Sequence, residues 1–306
     1  MRTLMCLLLA AMLAAMLAAP AAARDPFKDA LRGLKDQLKE PDKPASTPSA
    51  APAATDKPQS AAAAALPSIP PFGDVPVQDE IKIGRYIAGS LLGASPLAED
   101  AALQQYVNRV GRWVAAQSER PDLQWTFGVI ESADINAFAA PGGYIFVTRG
   151  LYALMNDEAE LAGVLAHEVA HVVRKHHLEV MQKSQLIGAG SDLLAKKLAK
   201  KDDKVKGLIG SGAEIMARGL DKDAEFEADR DGVVLATRAG YDSFGLAAML
   251  QQIGHMSSAD SSVALLFKTH PHPDERLARL GEAMGARFDA VADARNLPER
   301  LQKLKK

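Results

Sequence analysis

DEAELAGVLAHEVAHVVRKHHLEVMQ, the stretch Asp157–Gln182, contains no proline and a single glycine, Gly163. Its apolar residues Leu161, Val164, Leu165, Val169, Val172 and Val173 recur at helical spacing, which predicts one long, largely buried helix. In its middle stands His167-Glu168-Val169-Ala170-His171. Residues four apart on a helix share a face and lie roughly 6 Å apart along the axis, so both imidazoles can meet one tetrahedral cation. Glu168, beside the first imidazole, is placed to act as general base on a water activated by that cation. The plain alternative is a solvated helix that carries two histidines. It fits poorly, because Leu165, Ala166, Val169, Ala170 and Val172 surround the motif, and a buried His or Glu without a partner is costly.

A third ligand has two sources. His177 follows His167 at the spacing used by enzymes in which a glycine ends the helix and turns the chain back to the metal. Here Arg174 holds that glycine's position and nothing nearby breaks the helix. A continuing helix carries His177 about 15 Å along the axis, out of reach, so His176 and His177 are expected at the surface. The other source is Asp221–Arg238, DKDAEFEADRDGVVLATR, which predicts a helix with Glu225 and Asp229 on one face and Glu227 pointing elsewhere. Glu225 can complete a His₂Glu set that leaves a fourth position for water. Asp229 can then accept the free N–H of a ligand imidazole and hold its tautomer. Glu227 and Asp221 are expected on a solvated face.

Between Val75 and the central helix, apolar spacing predicts helices over Val77–Leu92 and Ala98–Gln117. Alternation predicts strands over Gln124–Ile130, Asn136–Ala140 and Tyr144–Thr148, with a tight turn at Pro141-Gly142-Gly143. The proline favours a sheet edge for Asn136–Ala140, either a docking edge for extended peptide through Asn136, Ala137, Phe138, Ala139 and Ala140 or the covered rim of a small sheet. After the acidic helix come a helix over Asp242–Met256, with His255 structural or exposed, and the stretch THPHPDER, Thr269–Arg276. Its two prolines put His270 and His272 on a rigid loop. From there a histidine could stabilise an oxyanion, occupy the open metal position in a resting state, or merely pack. Leu186–Met216 holds two short apolar pieces divided by a charged run and reads as a helical hairpin, each piece too short to cross a bilayer.

With 306 residues and 48% hydrophobic content the chain can build a sizeable core, and its net charge of −2 argues against a nucleic-acid partner. Met1–Ala23 has a basic start, an apolar run and the small-residue end Ala21-Ala22-Ala23, which predicts a cleaved secretory signal, with an uncleaved membrane anchor as the alternative. Cys6, the single cysteine, lies in that run, so no disulfide forms within the chain. Arg24–Glu40 reads as an amphipathic leader for a membrane surface or a partner, or as a floppy lead-in. Pro41–Pro71 reads as a disordered Ala/Pro-rich tether. The expected division is therefore signal peptide over 1–23, leader and linker over 24–74, metallopeptidase domain over 75–285 and a charged tail over 286–306.

The four stretches NAFAAPGGYIFVTRGL (Asn136–Leu151), AHEVAH (Ala166–His171), EFEAD (Glu225–Asp229) and THPHPDER, in this order, resemble the HtpX / CAAX-prenyl-protease family of zinc metallopeptidases. The likeness covers roughly Val75–Leu280 and is nearest the soluble periplasmic, BepA-like branch. It implies an α+β, mainly helical, zincin-like (gluzincin) domain with a small sheet packed on the HExxH helix. It further implies one Zn²⁺ per chain on His167, His171 and Glu225, with Glu168 and His270 catalytic, Asp229 supporting a ligand, and Asn136–Ala140 as the substrate edge. The transmembrane helices of some branches and the helical-repeat domain of the BepA-like branch have no counterpart here. The expected function is a periplasmic or secreted metalloendopeptidase acting on extended, misfolded or unassembled envelope proteins, with peripheral membrane contact and the envelope-assembly machinery as further expected partners. The rival is a chaperone-like protein that holds extended polypeptide at its sheet edge with little proteolysis.

Overall fold

The central helix, α4 (Glu158–Val173), is buried at every residue except Val173. A helix apolar on nearly all sides must be enclosed by other elements. In the computed structural model, which describes residues 69–185, 220–288, 291 and 294–305, the enclosing elements come from both sides of it in sequence. Before it run α1 (Val77–Ala94), α2 (Ala101–Ala115), β1 (Thr126–Ile130), β2 (Ala137–Ala140), β3 (Tyr144–Thr148) and α3 (Arg149–Leu154). After it come α5 (Lys222–Arg238), α6 (Gly245–Gly254), α7 (Ala264–Thr269), α8 (Pro273–Met284) and α9 (Pro298–Gln302). This is the expected mainly helical α+β arrangement. The readings made for 1–23 (Cys6 included), Arg24–Glu40, most of the Pro41–Pro71 tether, and Leu186–Met216 fall outside the described residues. Among those that are described, no helix is long and apolar enough to cross a membrane.

The sheet has the order β1-β3-β2, with β1 parallel and β2 antiparallel to β3. Strand alternation sends one set of side chains to each face. Phe127, Val129, Ala137, Ala139, Ile145 and Val147 join the core shared with α2 and α4. Ile130, Ala140 and Phe146 face the other way, onto Ile83, Ile87 and Leu91 of α1 and onto Leu178 and Met181. The hairpin between β2 and β3 needs Gly142 at φ +76°, a left-handed conformation that glycine adopts without penalty. That turn is pinned from outside by Glu80, which is fully buried. Its carboxylate accepts from the Gly142 N–H at 3.0 Å and from Arg120 at 2.8 and 2.9 Å.

One sequence expectation fails here. The helix does not continue to Gln182: α4 stops at Val173, and Lys175 takes φ +61° before the chain becomes helical again over residues 176–185. Arg and Lys are good helix formers, so propensity gives no warning. The stop is tertiary. The Val172 carbonyl accepts from both Lys175 N (3.2 Å) and the Arg120 guanidinium (3.1 Å), and Arg174 is held by Asp231 of α5 at 2.6 Å.

Candidate metal centre

The two imidazoles on α4 point their Nε2 atoms at each other, 3.0 Å apart. One tetrahedral ion with nitrogen bonds of about 2.05 Å would separate two ligand nitrogens by roughly 3.3 Å, so this pair is close to the spacing such an ion requires. The far nitrogens are occupied elsewhere: His167 Nδ1 lies 2.9 Å from Asp229 Oδ1, and His171 Nδ1 lies 2.8 Å from His176 Nδ1. Those contacts fix both rings with Nε2 facing inward. Burial, followed by the neighbouring His167, holds His171 well below its ordinary pKa and so in the neutral form a metal needs.

The facing helix, α5, begins at Asp221, whose side chain caps it by accepting from Ala224 N at 2.9 Å. Its i, i+4 pair Glu225 and Asp229 lies on the side against α4, and both residues are buried. The approach is close because residue 232 is glycine. A Cβ there would come within 2.9 Å of the His167 backbone nitrogen. Glu225 Oε1 sits 3.5 Å from His171 Nε2, and Oε2 sits 3.7 Å from His167 Nε2. Oε1 is buried with no hydrogen-bond partner among the described residues, the mark of a carboxylate oxygen whose natural partner is a cation. Burial alone would push Glu225 up, but the charge and hydrogen bond of His270 outweigh it and hold the carboxyl well below its usual range. The donor set of two imidazole nitrogens and one carboxylate oxygen fits zinc.

His270 ends α7 and lies on the extended segment before α8. Its Nδ1 is 2.8 Å from Glu225 Oε2, and one donor atom each from His167, His171, Glu225 and His270 falls within 4.8 Å of the others. Burial pulls the His270 pKa down, but the Glu225 charge and hydrogen bond outweigh it, and the net shift is upward. Glu168 is buried on the same turn of α4. Burial raises its carboxyl above the ordinary value against the pull of His167 and His270. His272, by contrast, is an exposed cap at the start of α8, and His255 is exposed.

Three participants escaped the sequence reading. His176 is buried, not superficial. It bonds His171 through one nitrogen, and its Nε2 lies 3.3 Å from Glu227 Oε2, so Glu227 is more than a solvated charge. His177 is half-buried against the same cluster, its ring centroid 5.8 Å from that of His171. Arg276 is buried and grips Asp229 at 2.6 and 2.9 Å. An Nδ1–H of His167 that donates to Asp229 has no lone pair for Arg276, and a guanidinium nitrogen 3.3 Å from both ring nitrogens lies against the ring and off the Nε2 lone pair, so this approach is packing, not a bond. The signals were the doubled histidine and the arginine inside THPHPDER, but neither has a helical period that announces a partner.

The segment Asn136–Ala140 forms the β2 edge of the sheet beside α4. Asn136, Ala137, Ala139 and Ala140 are buried, and Phe138 is half-buried. Asn136 Oδ1 accepts from Ala137 N at 3.0 Å, and its buried Nδ2 has no partner among the described residues.

Comparison with known proteins agrees with this geometry. Peptidase family M48 matches residues 101–284. The chain is 30% identical over 211 residues to the beta-barrel assembly-enhancing proteases of Yersinia pestis and Escherichia coli, covering 66% of this chain and 43% of theirs. It is also 29% identical over 177 residues to the mitochondrial metalloendopeptidase OMA1 of Schizosaccharomyces pombe, covering 58% of this chain and 52% of that one. It thus spans less than half the length of the bacterial relatives. With the family's match running from α2 through α8 and over every residue of the cluster, this chain belongs to peptidase family M48.

Proposed function

We propose that the chain is a zinc-dependent endopeptidase that hydrolyses peptide bonds in extended polypeptide. One observation supports this above the rest: two inward-facing imidazole nitrogens and a carboxylate oxygen without a hydrogen-bond partner among the described residues converge beside the buried Glu168. His167, His171 and Glu225 would hold the ion, and Asp229 would fix the tautomer of His167. A zinc ion in that position supplies Lewis acidity, which polarises a scissile carbonyl and makes water acidic enough to attack near neutral pH. Glu168 takes the proton of the attacking water and passes it to the departing amine. Its raised pKa brings it nearer the range in which a general base works well. His270, whose affinity for a proton Glu225 raises, offers positive charge in its protonated form to the oxyanion that develops.

For substrate, the β2 edge gives an extended peptide a strand to pair with. The names of the bacterial relatives support envelope proteins, misfolded or unassembled, as the substrate class and the assembly machinery as a partner. The apolar start and Ala21-Ala22-Ala23 support a periplasmic or secreted location. Digestion of an unfolded protein such as casein tests the reading. Wild type should cut it, a chelator should stop the reaction and added zinc should restore it. Binding of casein without cleavage would favour the chaperone-like alternative.

A further inference from the structure

A cavity of about 640 Å³ lies away from the metal cluster, between α2 and the segment that leads into α9. Arg109, Arg112, Arg295 and Arg300 line it with Trp113 and Tyr241, and among the described residues no carboxylate does. In a chain of net charge −2 this concentration of cations is local, not a reflection of composition. Arg109 and Arg112 stand three apart on one face of α2, where like charges repel, and neither has an acidic residue four positions away to offset it. Among the described residues Arg300 alone of the four makes an ion pair, at 3.0 Å to Glu158. Glu158 cannot neutralise the others. It is fully buried behind the cavity, and its oxygens already accept from Tyr106 (2.7 Å) and Tyr241 (2.9 Å).

Two further features look built for a ligand. Trp113 is 55% exposed, yet its indole is fixed by an Nε1–H bond to the Ala239 carbonyl at 2.8 Å, so a flat apolar face is held at the rim. Leu297, also on the lining, takes the left-handed conformation at φ +50° immediately before Pro298, where a β-carbon and the following ring both resist it. Backbone strain of this kind gathers at ligand clamps, and it persists here because the Asn296 carbonyl is tied to the first N–H of α4 at 2.8 Å.

We propose that this arginine-lined cavity binds a phosphate-bearing anion, with the phosphate on the guanidinium forks and an adjoining flat or apolar portion against Trp113. Phosphate suits the site better than a single carboxylate, because the three guanidiniums without an ion pair among the described residues call for more than one negative charge.

The test titrates the full-length protein with inorganic pyrophosphate and follows tryptophan emission, which reports on exposed Trp113 more than on buried Trp125. A parallel arm measures co-sedimentation with phosphatidylglycerol vesicles against phosphatidylcholine vesicles. Each arm is repeated on Arg109→Gln/Arg112→Gln and, separately, on Arg295→Gln, with circular dichroism to check the fold. Comparison with the variants also cancels any vesicle binding by the apolar N-terminus. Each guanidinium removed should weaken binding by about tenfold. Arginine-dependent binding of pyrophosphate identifies a free phosphorylated ligand, and arginine-dependent binding of phosphatidylglycerol alone identifies a lipid headgroup. Absence of binding in both arms, or binding that the folded variants retain at wild-type strength, overturns the proposal.

Discussion

Glu168 is the residue on which hydrolysis turns, and it can be separated from metal binding. Glu168→Gln keeps the shape and removes the base, so turnover of an unfolded substrate should fall by about a hundred- to ten-thousand-fold while metal content stays at the wild-type level. Activity near wild type would give the base to another group. His176 carries a prediction of a different kind. It touches His171, not the cation, so His176→Ala should speed metal loss by about ten- to a hundredfold in competition with a chromogenic chelator, with Glu227→Gln showing a smaller effect in the same direction. Unchanged metal retention in both variants would reduce that chain of contacts to packing. His167 with His171, and Glu225 with Asp229, could be read in advance because helical spacing puts i, i+4 residues on one face, and Glu168 because it adjoins the first imidazole. His176 could not, since its position depends on a turn that only Arg120 and Asp231 impose.

At the level of elements, the site is the contact between α4 and α5, and its precision depends on how near the two backbones come. Gly232→Ala would push a methyl into the His167 backbone, where the nearest atoms lie 2.9 and 3.0 Å away. Overpacking of this kind costs about 1–3 kcal/mol. Because the displacement separates Glu225 from the imidazoles, metal affinity should fall along with the melting temperature. A variant that loses stability but holds metal as tightly as wild type would show that the helices adjust without moving the ligands. The strands, the two helices before them and the acidic helix follow from alternation and apolar spacing within a few residues. The break after Val173 does not, since its causes lie in distant segments. Nor does the docking of residues 294–305, part of the stretch read as a charged tail. There Leu301 is fully buried, and the Asn296 carbonyl caps α4.

For the whole molecule, the metal cluster is a store of charge that the fold must tolerate without its ion. Burial lowers His177 to about 4 and holds His171 below its ordinary value, so between pH 6.5 and 4 the unfolded chain takes up protons that the folded chain refuses. Stability of the metal-free protein should therefore fall as pH drops through that window. The depressed carboxyls of Glu225 and Asp229 extend the loss to lower pH, where the unfolded chain protonates them first. The upward shifts of His270 and of the buried Glu168 act in the opposite sense, each in the range just above its ordinary value, and offset part of the loss. Thermal melts of chelator-treated protein from pH 7 to 4 check this, and a flat or rising melting temperature would contradict it. Bound zinc, which competes with protons for the same imidazoles, should raise the melting temperature most at neutral pH.

In the reading proposed above, His167, His171 and Glu225, from two separate helices, hold one metal ion. Elemental analysis of purified wild type beside Glu225→Ala and His171→Ala, each confirmed folded by circular dichroism, addresses it directly. The expected result is one zinc per wild-type chain and close to none in either variant. Wild type free of transition metal, or a Glu225→Ala protein that keeps a full equivalent, would contradict it.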